Sequence, residues 1–204
     1  MTLPMPTSSI ALKEWAVAVD TLGSGRQIII LRKGGIHRED KDFKMMHPNF
    51  LLFPTYEHQK TDLIKPKFHL ESEKAFNQNV DSNVVTMSKW CKVTDVFELR
   101  DSEALQNLSG FHLWTDDYAQ KRLHWRPKNP LTVAFLRVYQ LLQPLVVPVL
   151  DRYSGCKSWV DLGEGLPLGD MKPVLTGNEY EQKALVIKKS LTEGGLTQMS
   201  DNTR

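Results

Sequence analysis

The segment IALKEWAVAVDTLGSGRQIIILRKGG (residues 10–35) decides how the chain is read, because a helix-like pattern runs into a strand with only Gly23, Ser24, Gly25 and Arg26 between them. Ala11, Leu12, Trp15, Ala16, Val19 and Leu22 recur at three- and four-residue steps, and that spacing predicts a helix over 10–22. Trp15, Val17 and Val19 also alternate as a strand would, but Gly23 and Gly25 supply a helical stop, and Ser8 or Ser9 a cap. QIIILR (27–32) then reads as a strand. Its consecutive aliphatics need cover on both faces, which predicts a central place in a sheet.

Further along, FLLF (50–53) resumes an apolar strand, and Pro54 opens a candidate short helix in TYEHQKTDLI. Residues 65–82 carry little apolar content and are expected as an exposed excursion. In 84–99, Val85, Met87, Cys91, Val93, Phe97 and Leu99 fall on alternate positions, the period of one long strand or a bent pair. Asp101 and Thr115 are placed to cap two helices, the second with Asp116 and Asp117 in its first turn, where the helix dipole favours acids. Arg126-Pro127 and Asn129-Pro130 break that helix. LTVAFLRVYQLL (131–142) and LVVPVL (145–150) then read as two strands, the second demoted to an edge or bulge by Pro148.

These elements predict an α+β domain over residues 8–162, a mixed, curved sheet or partial β-barrel with packed helices. Residues 163–177, rich in Gly and Pro, are expected as a linker, and 178–195 as a C-terminal amphipathic helix striped by Tyr180, Ala184, Ile187 and Leu191. The strands are not regularly separated by helices, which argues against a doubly wound parallel sheet.

A hydrophobic share of 41% and a charged share of 25% over 204 residues are those of a globular chain, and exclude wholesale disorder. The net charge is +2, unevenly spread. Acids dominate 95–117, and Lys121, Arg122, Arg126, Lys128, Arg137, Arg152 and Lys157 follow. Cys91 and Cys156 form no C-x-x-C pair, so neither a disulfide framework nor a zinc site is indicated. With no signal-like or membrane-spanning run, a cytoplasmic protein is expected.

Four groups of residues are candidates for chemistry. Arg32 and Lys33 end a strand before Gly34 and Gly35, whose backbone N–H groups can turn toward an anion, although no phosphate-loop glycine pattern is present. The strand-to-helix junction after FLLF delivers Tyr56, Glu57 and His58 together, with His58 a candidate general base. In FHLWTDDYAQKRLHWRPK (111–128), Trp114, Trp125, Tyr118 and His124 interleave with Lys121, Arg122, Arg126 and Lys128. Such a mixture stacks bases while neutralising phosphates, but it also suits an ordinary amphipathic helix. Lys157 flanks Cys156. His112 and Asp116 lack a third metal ligand. Glu98-Leu99-Arg100, after Asp81 or Asp95, carries Arg where an E-x-K nuclease would carry Lys. No catalytic set, metal or cofactor is assigned.

EWAVAVDTLGSGRQIIILRKGGI, FLLFPTYEHQ, WTDDYAQKRLHWRPKNPL and YSGCKSWVDL, in this order from about Leu12 to Leu162, resemble the bacterial family called domain of unknown function 1802. That resemblance implies no activity, cofactor or partner. Leu22, Gly25, Arg26, Gln27, the aliphatic strand and Arg32 are also similar to the opening of PUA-like and ASCH-like β-barrels, which generally bind RNA or modified nucleotides. Gln27 and Ile30 stand where Lys-Thr and Glu are usual in those domains. Three expectations follow: a module binding RNA, single-stranded DNA or a nucleotide; an enzyme on a phosphorylated or nucleic-acid substrate, nuclease-like; or a structural, protein-interaction domain. Oligomeric state is left open.

Overall fold

The computed structural model describes residues 6–33, 47–56, 60–76, 81–155 and 157–193. The expected first helix is two elements. Strand β1 (Thr7–Trp15) runs directly into helix α1 (Ala16–Gly23). The helical spacing around Ala11, Leu12 and Trp15 loses to tertiary pairing. β1 lies between β3 (Asn49–Thr55), parallel in the register Ala11 to Leu51, and β6 (Trp159–Pro167), antiparallel in the register Ala11 to Val160. Two flanking strands satisfy its backbone on both sides, which an isolated helical period cannot outweigh. The helix stops at Gly25, whose φ of +69° suits glycine, and an added Cβ there would meet Leu175 at 2.6 Å.

Strand β2 (Ile29–Lys33) pairs with β5 (Leu131–Pro148), which pairs along its length with β4 (Val84–Leu99). The order is β2-β5-β4-β3-β1-β6, with β7 (Met171–Pro173) added on β5 beyond β2. β2 is therefore an end strand and not a central one. Its aliphatics are buried all the same, because Ile30 enters the core shared by Leu12, Phe50, Leu52, Cys91 and Leu136, while Ile29 and Leu31 pack among the helices. That first cluster draws on β1 and β2, distant in sheet order, so the mixed sheet curls around it without closing. Register shifts at Met87/Lys89 and Val93/Asp95 supply the bend.

The pair of strands expected at 131–150 is one strand. Gln140 faces Lys89 and Leu145 faces Met87, so Pro144, which has no N–H to give, falls in the bulge between them. Residues 65–76 are not an exposed excursion. After a turn at Pro66–Phe68, helix α2 (His69–Phe76) buries Ser72 and Ala75, and Phe68 is buried before it. Asp101 caps α3 (Ser102–Asn107) through the N–H groups of Glu103 and Ala104, at 2.8 and 2.9 Å. Thr115 accepts from Tyr118 N at the start of α4 (Asp116–His124).

Half of the stretch expected as a linker is strand, β6 and β7 together. Helix α5 (Gly177–Glu193) then begins at a capping box, in which Glu179 accepts from Thr176 N and Oγ1, both at 2.8 Å. Its stripe of Tyr180, Ala184, Ile187 and Leu191 lies in the same core as Val17, Leu31, Phe97 and Phe135. Tyr180 hydroxyl meets Thr94 Oγ1 at 2.6 Å, and Lys188 pairs with Asp95 at 2.6 Å. The helix is thus part of the packed body. Truncating Ile187 to Ala should cost about 2–5 kcal/mol. Urea unfolding of the full chain reads this, and a loss below 1 kcal/mol would mean that the helix docks only loosely.

Candidate functional site

Of the described candidates, Arg32 lies where the curled sheet stays open. On β2, Ile30 and Arg32 point to the inner face and Ile29, Leu31 and Lys33 to the helices, as strand alternation requires. Arg32 reaches across the gap to the other end of the sheet. Its Nη1 donates to Glu14 Oε1 at 2.7 Å and to Lys13 O at 3.1 Å, and its Nη2 donates to Ser158 Oγ at 2.6 Å, just ahead of β6. Both partners of this ion pair are shielded, with side-chain exposures of 14% and 6%. Next to Glu14, Thr55 Oγ1 donates to the Glu14 carbonyl and ties in the end of β3.

Lys33 points the other way. Its Nζ donates to Leu123 O at 2.6 Å and Asn129 O at 2.5 Å, so a buried ammonium closes the C-terminus of α4 and pins the loop after it. Leu123 is one residue beyond Arg122 on α4. Trp114, Tyr118 and Arg122 follow at four-residue steps, with the guanidinium carbon 5.9 Å from the Trp114 ring centre and 5.6 Å from that of Tyr118. Trp15 meets Trp114 edge-on at 4.9 Å. Trp114 is itself only 3% exposed, a core ring with no face left for a base.

Burial lowers the Arg122 pKa from its ordinary value. Tyr118 opposes the shift by charge and by a hydrogen bond, the like charge of Arg32 reinforces it, and Glu14 opposes it.

Beyond α4 the loop turns outward. Trp125 is 43% exposed and Arg126, at φ +51°, holds its guanidinium carbon 4.6 Å over the indole. Arg100 donates to Lys128 O at 2.9 Å, His124 Nε2 lies 3.2 Å from Ser102 Oγ, and Lys121 and Lys128 are exposed. Lys157 is exposed too, one residue from the Ser158 that Arg32 holds. Tyr56 follows Thr55, and burial with the Asp20 carboxylate behind it raises its hydroxyl pKa. Gly34, Gly35, Glu57, His58 and Cys156 lie outside the described residues.

Glu14 and Ser158 were invisible as site residues in the sequence. Glu14 sat inside an expected helix, and only strand parity with Leu12 turns it toward Arg32. Sequence reasoning also passed over Lys65, whose Nζ pairs with Asp116 at 2.9 Å while Ser109 Oγ donates to Asp116 at 2.6 Å. Asp116 is thus occupied. Among the described residues no three His, Cys, Asp or Glu side chains gather as metal ligands. Neighbouring His112 is 1% exposed, and its Nδ1 has no partner. Of the nuclease pattern, Asp95 pairs with Lys188 and Arg100 donates to Lys128 O. Burial pushes the Cys91 thiol pKa up, so it is an inert core group. A crevice lined by Leu22, Gly25, Leu136 and Tyr180 offers about 10 Å³, room for roughly one water. No helix among the described residues is long and apolar enough to cross a membrane.

Neither the curated proteins nor the solved structures contain a match to this chain. Residues 11–185 match the family described as a domain of unknown function, DUF1802, a span that runs from the middle of β1 through α4 to the middle of α5. With that match covering most of its length, the chain belongs to the DUF1802 family.

Proposed function

We propose that the protein is a nucleic-acid-binding module that takes single-stranded RNA or DNA, or a nucleotide, on the loop that follows α4. The observation that carries this reading is the exposed indole of Trp125 with Arg126 over it, flanked by Lys121, Lys128 and Arg100. An exposed ring gives any base a stacking surface, and the cations beside it neutralise the backbone. Lys33 holds the loop from beneath by two carbonyls, so little ordering cost falls on binding. The similarity of Leu22, Gly25, Arg26 and Arg32 to PUA-like barrels points the same way. The hydrolase alternative draws no support from geometry, because Glu57 and His58 are outside the described residues.

Binding of a labelled single-stranded RNA should weaken steeply with salt. Trp125→Ala should lower affinity about tenfold with the salt slope unchanged, as expected for a lost stack of about 1–3 kcal/mol. Lys128→Ala should instead flatten the slope by about 0.7, one phosphate contact on a single strand. Absence of binding at low salt, or equal affinity of the Trp125 variant, would remove the proposal.

A further inference from the structure

We propose that the face of β4 and β5 beside the start of α5 is a stacking platform for single-stranded RNA or DNA, where Trp90 and Tyr139 take a base and Arg137 and Lys92 its phosphate. This rests on the nucleic-acid reading and adds to it a contact surface separate from the loop that bears Trp125.

Register places the four side chains together. Trp90 is the cross-strand partner of Tyr139, and Lys92 that of Arg137, so two neighbouring rows of one sheet face carry a ring pair and a cation pair, about 7 Å apart. The ring centres of Trp90 and Tyr139 are 5.4 Å apart and tilted by 57°. Trp90 packs at the margin of the cluster that contains Leu51, Val85 and Met87, which holds its indole, while both rings keep part of their surface in solvent. Arg137 Nε donates to the Tyr139 hydroxyl at 3.2 Å. Its guanidinium carbon lies 6.0 Å from the Tyr139 ring centre and 5.3 Å from that of Tyr180 in the first turn of α5.

The two cations are not spent on the fold. The bond to Tyr139 uses one of the five N–H groups of Arg137, and among the described residues neither Arg137 nor Lys92 has a carboxylate within ion-pair distance. The next acid along β4, Asp95, pairs with Lys188 at 2.6 Å. Half-buried rings beside a planar cation with donors to spare match a flat base joined to a phosphate. An apolar peptide would leave both charges unmet, and an acidic one would leave the rings unused. Two extended strands offer little enclosure, which suits a chain laid across them more than a free nucleotide.

The test follows the Trp90 indole Nε1–H and Arg137 Nε–Hε resonances by NMR, each assigned by substitution, in the full-length protein and in its Trp125→Ala variant. A short oligoadenylate and inorganic polyphosphate are titrated at equal ionic strength. Both resonances should shift saturably with the oligoadenylate, and they should do so in the Trp125→Ala protein as well. Polyphosphate, which has no bases, should bind at least tenfold more weakly and leave Trp90 unmoved. In the Trp125→Ala background, Trp90→Leu, which keeps an apolar side chain beside Leu51, should weaken the oligoadenylate about tenfold. Arg137→Gln, a change at the surface of the sheet, should weaken it about fivefold in the same background. A Trp90 resonance that does not move in the Trp125→Ala protein would overturn the platform. Equal binding of polyphosphate would do so too, as would an Arg137→Gln protein that titrates like its parent. The loop after α4 is judged separately, by its own salt titration.

Discussion

Replacing Arg32 with Met should cost the protein about 3–5 kcal/mol, and replacing Glu14 with Leu at the same time should recover at least half of that loss. The reasoning starts from position. β2 and β1 are near opposite ends of the sheet order, and Arg32 is the side chain that spans the gap between them. Removing it strands the Glu14 carboxylate at 6% side-chain exposure, with its donor gone and little water to take over. A buried charge without its partner is far more costly than no charge at all, so the double substitution should sit above the single one. Recovery stays partial, because Lys13 O and Ser158 Oγ also lose a donor. Urea unfolding of the parent, both single variants and the double variant gives the coupling energy directly. Additive losses would show that Arg32 and Glu14 do not act as a pair, and that the seam is held by packing alone.

Arg32 also shows how far the sequence could be read. QIIILR announced a strand covered on both faces, and the inference to a central place failed for a physical reason. Cover came from the curled sheet on one face and from helices on the other, so burial did not require two strand neighbours. The curved mixed sheet was legible in the alternation of 84–99 and in the largely apolar runs at 28–31, 50–53 and 131–136. β1 was not, because Ala11, Leu12 and Trp15 satisfy the helical and extended periods almost equally, and pairing with residues as distant as Leu51 and Val160 settles the matter. Arg32, Arg122 and Trp125 could be singled out by charge and ring chemistry. That Arg32 faces Glu14 and that Lys33 closes a helix depend on which face of β2 each residue occupies. Strand parity gives that only once register is known.

Acid should destabilise the protein well before its carboxylates titrate, and His112 is the reason. The imidazole is 1% exposed, and burial, reinforced by Lys65 and Lys67, lowers its pKa to about 3 against the opposing effects of Asp116 and the Trp114 backbone. Its Nδ1 has no partner, so the neutral ring is already poorly satisfied and a proton would add a buried cation beside the Lys65 ammonium. In the unfolded chain the same ring takes its proton near pH 6.5. Between those two values the unfolded state binds the proton and the folded state does not, so stability falls as pH falls, by up to about 1.4 kcal/mol per unit. The contribution is complete above pH 6.5 and lost progressively down to about pH 3. From pH 7 to pH 5 the protein should therefore lose about 2 kcal/mol in urea unfolding. His112→Phe, which fills the site without titrating, should remove most of that slope, and His112→Gln should do the same from a lower starting stability. The window from pH 7 to 5 is chosen because Glu179 and Asp116, both held below their ordinary pKa values, begin to count only at lower pH. Parallel pH profiles for the parent and the Phe variant would mean that the ring gains its proton in the fold without penalty, through a water or a shift of Lys65.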